Sequence, residues 1–136
     1  MQRIKHKNNT YALIIKAKEQ FTKKGVDFRT ESKDLLQVGF LKHNTNHKIK
    51  AHIHKKKTRK LDYCTEVLIV QEGKVKVFFY DEKGKDINKS KILEKNDIII
   101  LFKGGHGFKI LKKCKILEIK QGPYLSDKDK KLFNEK

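Results

Sequence analysis

TEVLIVQEGKVKVFFY (65–80) holds two β-prone runs, TEVLIV (65–70) and KVKVFFY (74–80), parted by the turn-forming QEG (71–73). Both runs are rich in the β-branched and aromatic residues that suit a pleated, half-buried surface. Working outward, the same reading finds LLQVGFL (35–41) and HKIKAHIH (47–54) upstream. Downstream it finds DIIILF (97–102), GFKIL (107–111) and KILEIK (115–120). KHNTN, DEKGKD, EKND and FKGG supply between them the Gly, Asn and Asp that tolerate positive φ or form side-chain turns. Many short strands at this spacing predict an all-β fold, an antiparallel barrel or sandwich over about residues 35–120.

The flanks carry weaker signals. The apolar residues of TYALIIKAKEQFTKK (10–24) suit neither the helical nor the strand period, so both stay open there. Ser126, with Asp129 three positions later, forms a capping box ahead of a short helix carrying Leu132 and Phe133. These are short N- and C-terminal extensions of one domain spanning 1–136, a length that can bury a core without disulfides. With one proline, Pro123, and no repeats, no linker divides the chain. Cys64 and Cys114 lie in apolar runs, where a free cysteine serves as a small buried hydrophobe.

The formal charge is +18, which raises nucleic-acid binding as a function class. Only Arg3, Arg29 and Arg59 of the 34 basic residues are arginine, the side chain best suited to bidentate phosphate and base contacts. The lysines are spread along the whole chain, so the charge reads as a solvated surface and nucleic acid is not the expected partner. No stretch approaches the roughly 18 apolar residues of a membrane span. The start, MQRIKHKNNTYALIIKAKEQ, has too short an apolar run for a secretory signal, so the expected location is cytoplasmic and no membrane partner is expected.

Chemistry enters with HKIKAHIH. A period of two places Lys48, Lys50, His52 and His54 on one face and Ile49, Ala51 and Ile53 on the other. Two imidazoles pointing one way suit zinc, iron, copper or nickel, and a carboxylate extends the choice towards manganese and iron. Glu66 opens an apolar strand, where a buried acid needs a partner that a metal can supply.

This pattern resembles the cupin superfamily, whose motifs read G-x5-H-x-H-x3,4-E-x6-G and G-x5-P-x-G-x2-H-x3-N. Asn46 stands at the first glycine, followed by His52-Ile53-His54, then Glu66 and, after six residues, Gly73. In the second motif Asn96 and Phe102 replace glycine and proline, Gly104 matches, and His106 follows after one residue. The resemblance covers about residues 46–110. It implies a double-sheet jelly-roll barrel and a divalent metal (Zn, Fe, Mn or Ni) held by His52, His54, Glu66 and His106. Eleven residues, KKKTRKLDYCT, separate His54 from Glu66 where the family has three or four, which leaves Asp62 or Tyr63 as alternatives; the intact Glu66-x6-Gly73 spacing favours Glu66. His6, His43 and His47 read as surface residues.

Around this centre, Lys50, Tyr63 and Tyr80 are candidate catalytic residues, and Lys48, Lys50, Arg59, Gln121 and Tyr124 are candidates for binding substrate. The resemblance implies a metal-dependent, isomerase- or epimerase-like enzyme acting on a sugar, sugar phosphate or nucleotide sugar. A non-catalytic module for a carbohydrate or acidic ligand and an iron-dependent dioxygenase are the alternatives. Lys50 and Arg59 beside the opening point to an anionic ligand, because charges in a low-dielectric cleft focus the field. With the histidines turned inward, Ile49, Ala51 and Ile53 face out, and covering that strip predicts a homodimer.

Overall fold

The structure, a computed structural model, describes residues 1–125 and 129–133. The chain is mostly β and divides into two compact units, Met1–Glu19 with Tyr63–Lys136 and Gln20–Asp62. No described helix is long and apolar enough to cross a membrane.

The first unit is an antiparallel sheet of β1 (Gln2–His6), β2 (Asn9–Ile15), β5 (Glu66–Tyr80), β6 (Asp86–Glu94), β7 (Ile98–Leu101) and β8 (Gly105–Lys120). The strand order is β1-β2-β7-β5-β6, with β8 also on β5. Strand β5 is the axis. Its first part pairs with β7 and its second with β6, while β8 follows its opposite edge from Glu66↔Lys120 to Tyr80↔Gly105. Among the described residues the pairing does not close into a barrel.

The hairpin expected at QEG is replaced by an irregularity inside one continuous strand. Gly73 has φ 86°, and the β5–β8 register shifts on both sides of it. A Cβ at this position would lie 2.6 Å from Cβ of Cys114 and closer still to the Lys113 carbonyl oxygen, so only glycine lets β8 pass. Leu68 and Val70 face the core before the irregularity, and Val75, Val77 and Phe79 face it afterwards. The parity changes from even to odd because extra backbone is spent there, which keeps both halves of β5 facing inward. Ile4, Ala12, Ile14, Ile99 and Leu101 complete much of this core. Each large side chain fully buried in it contributes roughly 1.5–3 kcal/mol. By the same logic GFKIL and KILEIK, expected as two strands, form the single strand β8.

The open question at the N-terminus resolves into the hairpin β1–β2. Tyr11 to Ile15 are all buried, so both faces of β2 are covered and no alternation shows in the sequence. Strand β6 was not legible: apart from Ile87 and Leu93 near its ends, its core-side positions hold Lys89 and Lys91. Asp97, buried in the β6–β7 turn, accepts hydrogen bonds from Ala17 N (3.0 Å) and Glu94 N (2.9 Å) and an ion pair from Lys16. The same turn is clipped to β5 through Val70 N to Asp97 O (3.0 Å) and Asn96 N to Val70 O (2.6 Å).

The second unit contains the hairpin of β3 (Gly25–Phe28) and β4 (Gly39–Lys42). Asp27, buried, pairs with Arg29 at 2.8 Å, and the Arg29 guanidinium lies over the Phe40 ring. The expected strand over 35–41 is confined to Gly39–Lys42. The strand expected over 47–54 is absent, and residues 47–62 carry no strand. Ile53 is 94% exposed and Ile49 54%. Among the described residues no strand pairs with this segment, the lysines repel one another, and a strand without a ladder partner is not stable in water. The apolar strip behind the homodimer expectation therefore has no strand to carry it. At the other end, Ser126 of the expected capping box lies outside the described residues, and 129–133 carry no helix.

Candidate functional site

Glu66 opens β5 and pairs with Leu101 and Lys120, whereas His106 lies across from Phe79 near the opposite end of that strand. A straight run of thirteen residues would separate these levels by about 43 Å. Yet Glu66 Oε2 and His106 Nε2 are 3.2 Å apart. The sheet must therefore curl about β5, and the short FKGG turn carries the chain from the Leu101 end to the Gly105 end. Gly104 makes that turn possible: it has φ 76°, and a Cβ there would strike the Tyr11 ring and come within 2.8 Å of the Tyr80 carbonyl oxygen.

The Glu66 carboxylate accepts the hydrogen bond and His106 Nε2–H donates it. Their side chains are 20% and 28% exposed, respectively. The bond from His106 holds the Glu66 carboxyl below its usual range against the opposing effect of burial, with help from the charges of His106, Lys120 and Lys130. An ionised Glu66 keeps the shared proton on Nε2, so in the neutral ring Nδ1 is the atom able to take a proton.

A cavity of about 410 Å³ adjoins this pair, with Tyr63, Cys64, Lys103 and Phe133 in its wall. Lys103 is fixed there by Glu82 (2.7 Å) and stands 4.9 Å from the centre of the Tyr63 ring. Tyr63 Oη donates to the same Glu82 oxygen at 3.3 Å. Glu82 pushes the Lys103 amine up and is itself held down by that bond. Burial, then the negative charge of Glu82, pushes the Tyr11 phenol up. Burial, followed by the charge of Glu66, also pushes the Cys64 thiol up, so it is the thiol and not the thiolate that meets the cavity. Phe133 rests on Tyr80 with ring centroids 5.0 Å apart. A Cβ at Gly84 or Gly105 would approach its ring within 3.0 or 3.1 Å, so both glycines make room for it.

Of the four expected metal ligands, Glu66 and His106 come together in the first unit. His52 and His54 belong to the second, both exposed, with ring centroids 5.1 Å apart and His52 Nδ1 3.0 Å from Lys50 O. Among the described residues no group of three or more His, Cys, Asp or Glu side chains is arranged to hold a metal. Lys48, Lys50 and Arg59 are exposed in the irregular segment of the second unit. Of the tyrosines named as catalytic candidates, Tyr63 lines the cavity and Tyr80 is buried beneath Phe133. Gln121 turns its side chain to the backbone of Thr65, and Tyr124 is 71% exposed beside Lys120. Sequence reasoning missed Lys103, Glu82 and Phe133, which share no spacing with His106 or Glu66 and meet only through folding. Comparisons with protein-family models, with curated proteins and with solved structures find no match for this chain.

Proposed function

We propose that the chain is a cupin-like enzyme that isomerises or epimerises a small anionic, sugar-derived substrate, with Glu66 and His106 as its acid–base pair. The observation that supports this reading is the 3.2 Å carboxylate–imidazole bond beside a cavity of about 410 Å³. That volume lies within the range of small-molecule sites. Lys103 and Lys130 line the same cavity and give it affinity for a phosphate or carboxylate. His106 Nδ1 takes a proton from the carbon next to a substrate carbonyl, the C–H electron pair passes into the enolate, and the imidazolium returns the proton to carbon. Glu66 stabilises the imidazolium between the two transfers. Tyr63, in the same wall, turns its hydroxyl from Glu82 to the enolate oxygen, gives its proton there and recovers it. No oxidant is consumed.

A second reading uses the same two side chains, because an oxygen and an imidazole nitrogen at this distance can both turn to one divalent cation. Such a cation would polarise the substrate carbonyl. Catalytic divalent centres usually draw on three protein ligands, one more than Glu66 and His106 provide, so none of the steps above depends on it. Elemental analysis separates the readings: about one zinc, iron, manganese or nickel per chain, lost in His106→Ala and Glu66→Ala, supports the cation.

The main test is a panel of phosphorylated, carboxylated and neutral sugars, read by thermal shift and by solvent deuterium entering carbon positions next to the carbonyl. Charged members should stabilise the protein more than their neutral parents, and exchange should vanish in His106→Ala. Stabilisation without exchange on any member would leave a binding module, not an enzyme. Equal shifts for charged and neutral sugars would remove the anionic ligand.

A further inference from the structure

Glu66 is the first residue of β5, and strand ends fray unless their backbone groups are tied down. Its partner in the ladder, Lys120, is the last residue of β8, so regular pairing stops at the functional carboxylate. Just beyond, the side chain of Gln121 takes over. Its Oε1 accepts a hydrogen bond from Thr65 N at 3.0 Å, while Gln121 N donates to Thr65 O at 3.4 Å. One residue further out, Cys64 Sγ lies 3.6 Å from Gln121 O. Thr65, between these clips, is 6% exposed. A Thr65 N–H buried to this extent needs an acceptor, and the one it has is a side chain, not a strand.

We infer that Gln121 is a positioning residue: its amide oxygen extends the β5–β8 ladder by one bond and so aims Glu66 at His106. This rests on the acid–base reading of that pair. It departs from the sequence expectation that Gln121 faces substrate. The chemistry calls for such a device because Glu66 is the first residue of β5 and its partners Leu101 and Lys120 are the last residues of β7 and β8, whereas ladder pairs flank His106 before and after it, Gly105↔Tyr80 and Gly107↔Phe78. A displacement of about 1 Å in a catalytic pair costs up to about a hundredfold in rate.

The test compares Gln121→Leu, which keeps the size but accepts no hydrogen bond, with Gln121→Glu, which keeps the acceptor oxygen. Three readouts apply to the full chain: hydrogen exchange of the Thr65 amide, the His106 Nε2–H resonance in long-range proton–nitrogen spectra, and deuterium exchange into the best sugar phosphate of the panel. In the wild type the Thr65 amide should be protected. Gln121→Leu should lose the His106 resonance and about tenfold or more of the exchange rate while its far-ultraviolet spectrum stays that of a β protein. Gln121→Glu should retain both. An unchanged His106 resonance in Gln121→Leu overturns the inference, as does an unprotected Thr65 amide in the wild type, which needs no variant to fold. If no sugar exchanges in the wild type but the His106 resonance responds as stated, the acid–base reading falls and the positioning role stands.

Discussion

The bond between Glu66 and His106 makes a quantitative prediction about stability and pH. A hydrogen bond to a charged group contributes about 1.5–3 kcal/mol when shielded. Solvent reaches 20% of one side chain and 28% of the other, so screening brings the expected coupling to about 1 kcal/mol at pH 7. The sign follows from the carboxyl. His106 lowers its folded pKa below the ordinary value of 4.5, so the contribution is present above that value and is lost as pH falls through the lower, folded one. A double-mutant cycle of Glu66→Gln and His106→Ala, measured by urea denaturation with chelator present, should give about 1 kcal/mol at pH 7 and decline as pH falls below the ordinary carboxyl value. In His106→Ala the burial of Glu66 remains without its compensating bond, so that variant should lose less stability on acidification than the wild type. A coupling below about 0.3 kcal/mol at pH 7 would show that the pair makes no bond in solution, and a coupling unchanged on acidification would show that the bond does not depend on the charge of Glu66.

Three further outcomes test the fold around the site. Gly73→Ala combines the cost of a left-handed residue, about 1–2 kcal/mol, with overpacking against β8, about 1–3 kcal/mol. Gly25→Ala, at φ 87° but with nothing within 4 Å of its Cβ, should show only the first term; equal losses in chemical denaturation would refute the close passage of β8. Asp97→Ala removes the acceptor of the Ala17 and Glu94 amides and the ion partner of Lys16, and should cost about 1–3 kcal/mol by the same assay. Ile53→Asp should change stability by less than about 0.5 kcal/mol and leave sedimentation unaltered, whereas a face buried against a second copy would lose far more.

The all-β class could be read from TEVLIV, KVKVFFY and DIIILF because their side chains alternate or run apolar and are buried as β5 and β7. What could not be read was continuity. A Gly in a turn-like QEG is the usual sign of a reversal, but whether the chain turns depends on what lies alongside. Here β8 does, and the glycine's missing side chain is spent on its passage. Strand β6 was hidden for the opposite reason: its pairing to β5 is made by backbone groups that carry no signature in DINKSKILE.

The site divides along the same line. His106 and Glu66 were found by their order and spacing, and the curl of β5 brings them together although Phe79, not Glu66, is the ladder partner of His106. His52 and His54 were found by the same motif, but their shared face assumed a strand. Period-two alternation in KIKAHIH is necessary for a half-buried strand and insufficient for one, since the ladder bonds must come from elsewhere in the chain. The residues that finish the cavity wall have no local pattern at all. Lys103 became identifiable only once Glu82 and Tyr63 converged on it, and Phe133 only once Gly84 and Gly105 were seen to make room for its ring. Each belongs to a pair or triple whose members are far apart in sequence and whose spacing is set by the path of β5 and β8. Sequence order can therefore nominate Glu66 and His106 as members of one site, there as metal ligands, but the contacts around them, such as that of Gln121 with Thr65, are consequences of where the strands end.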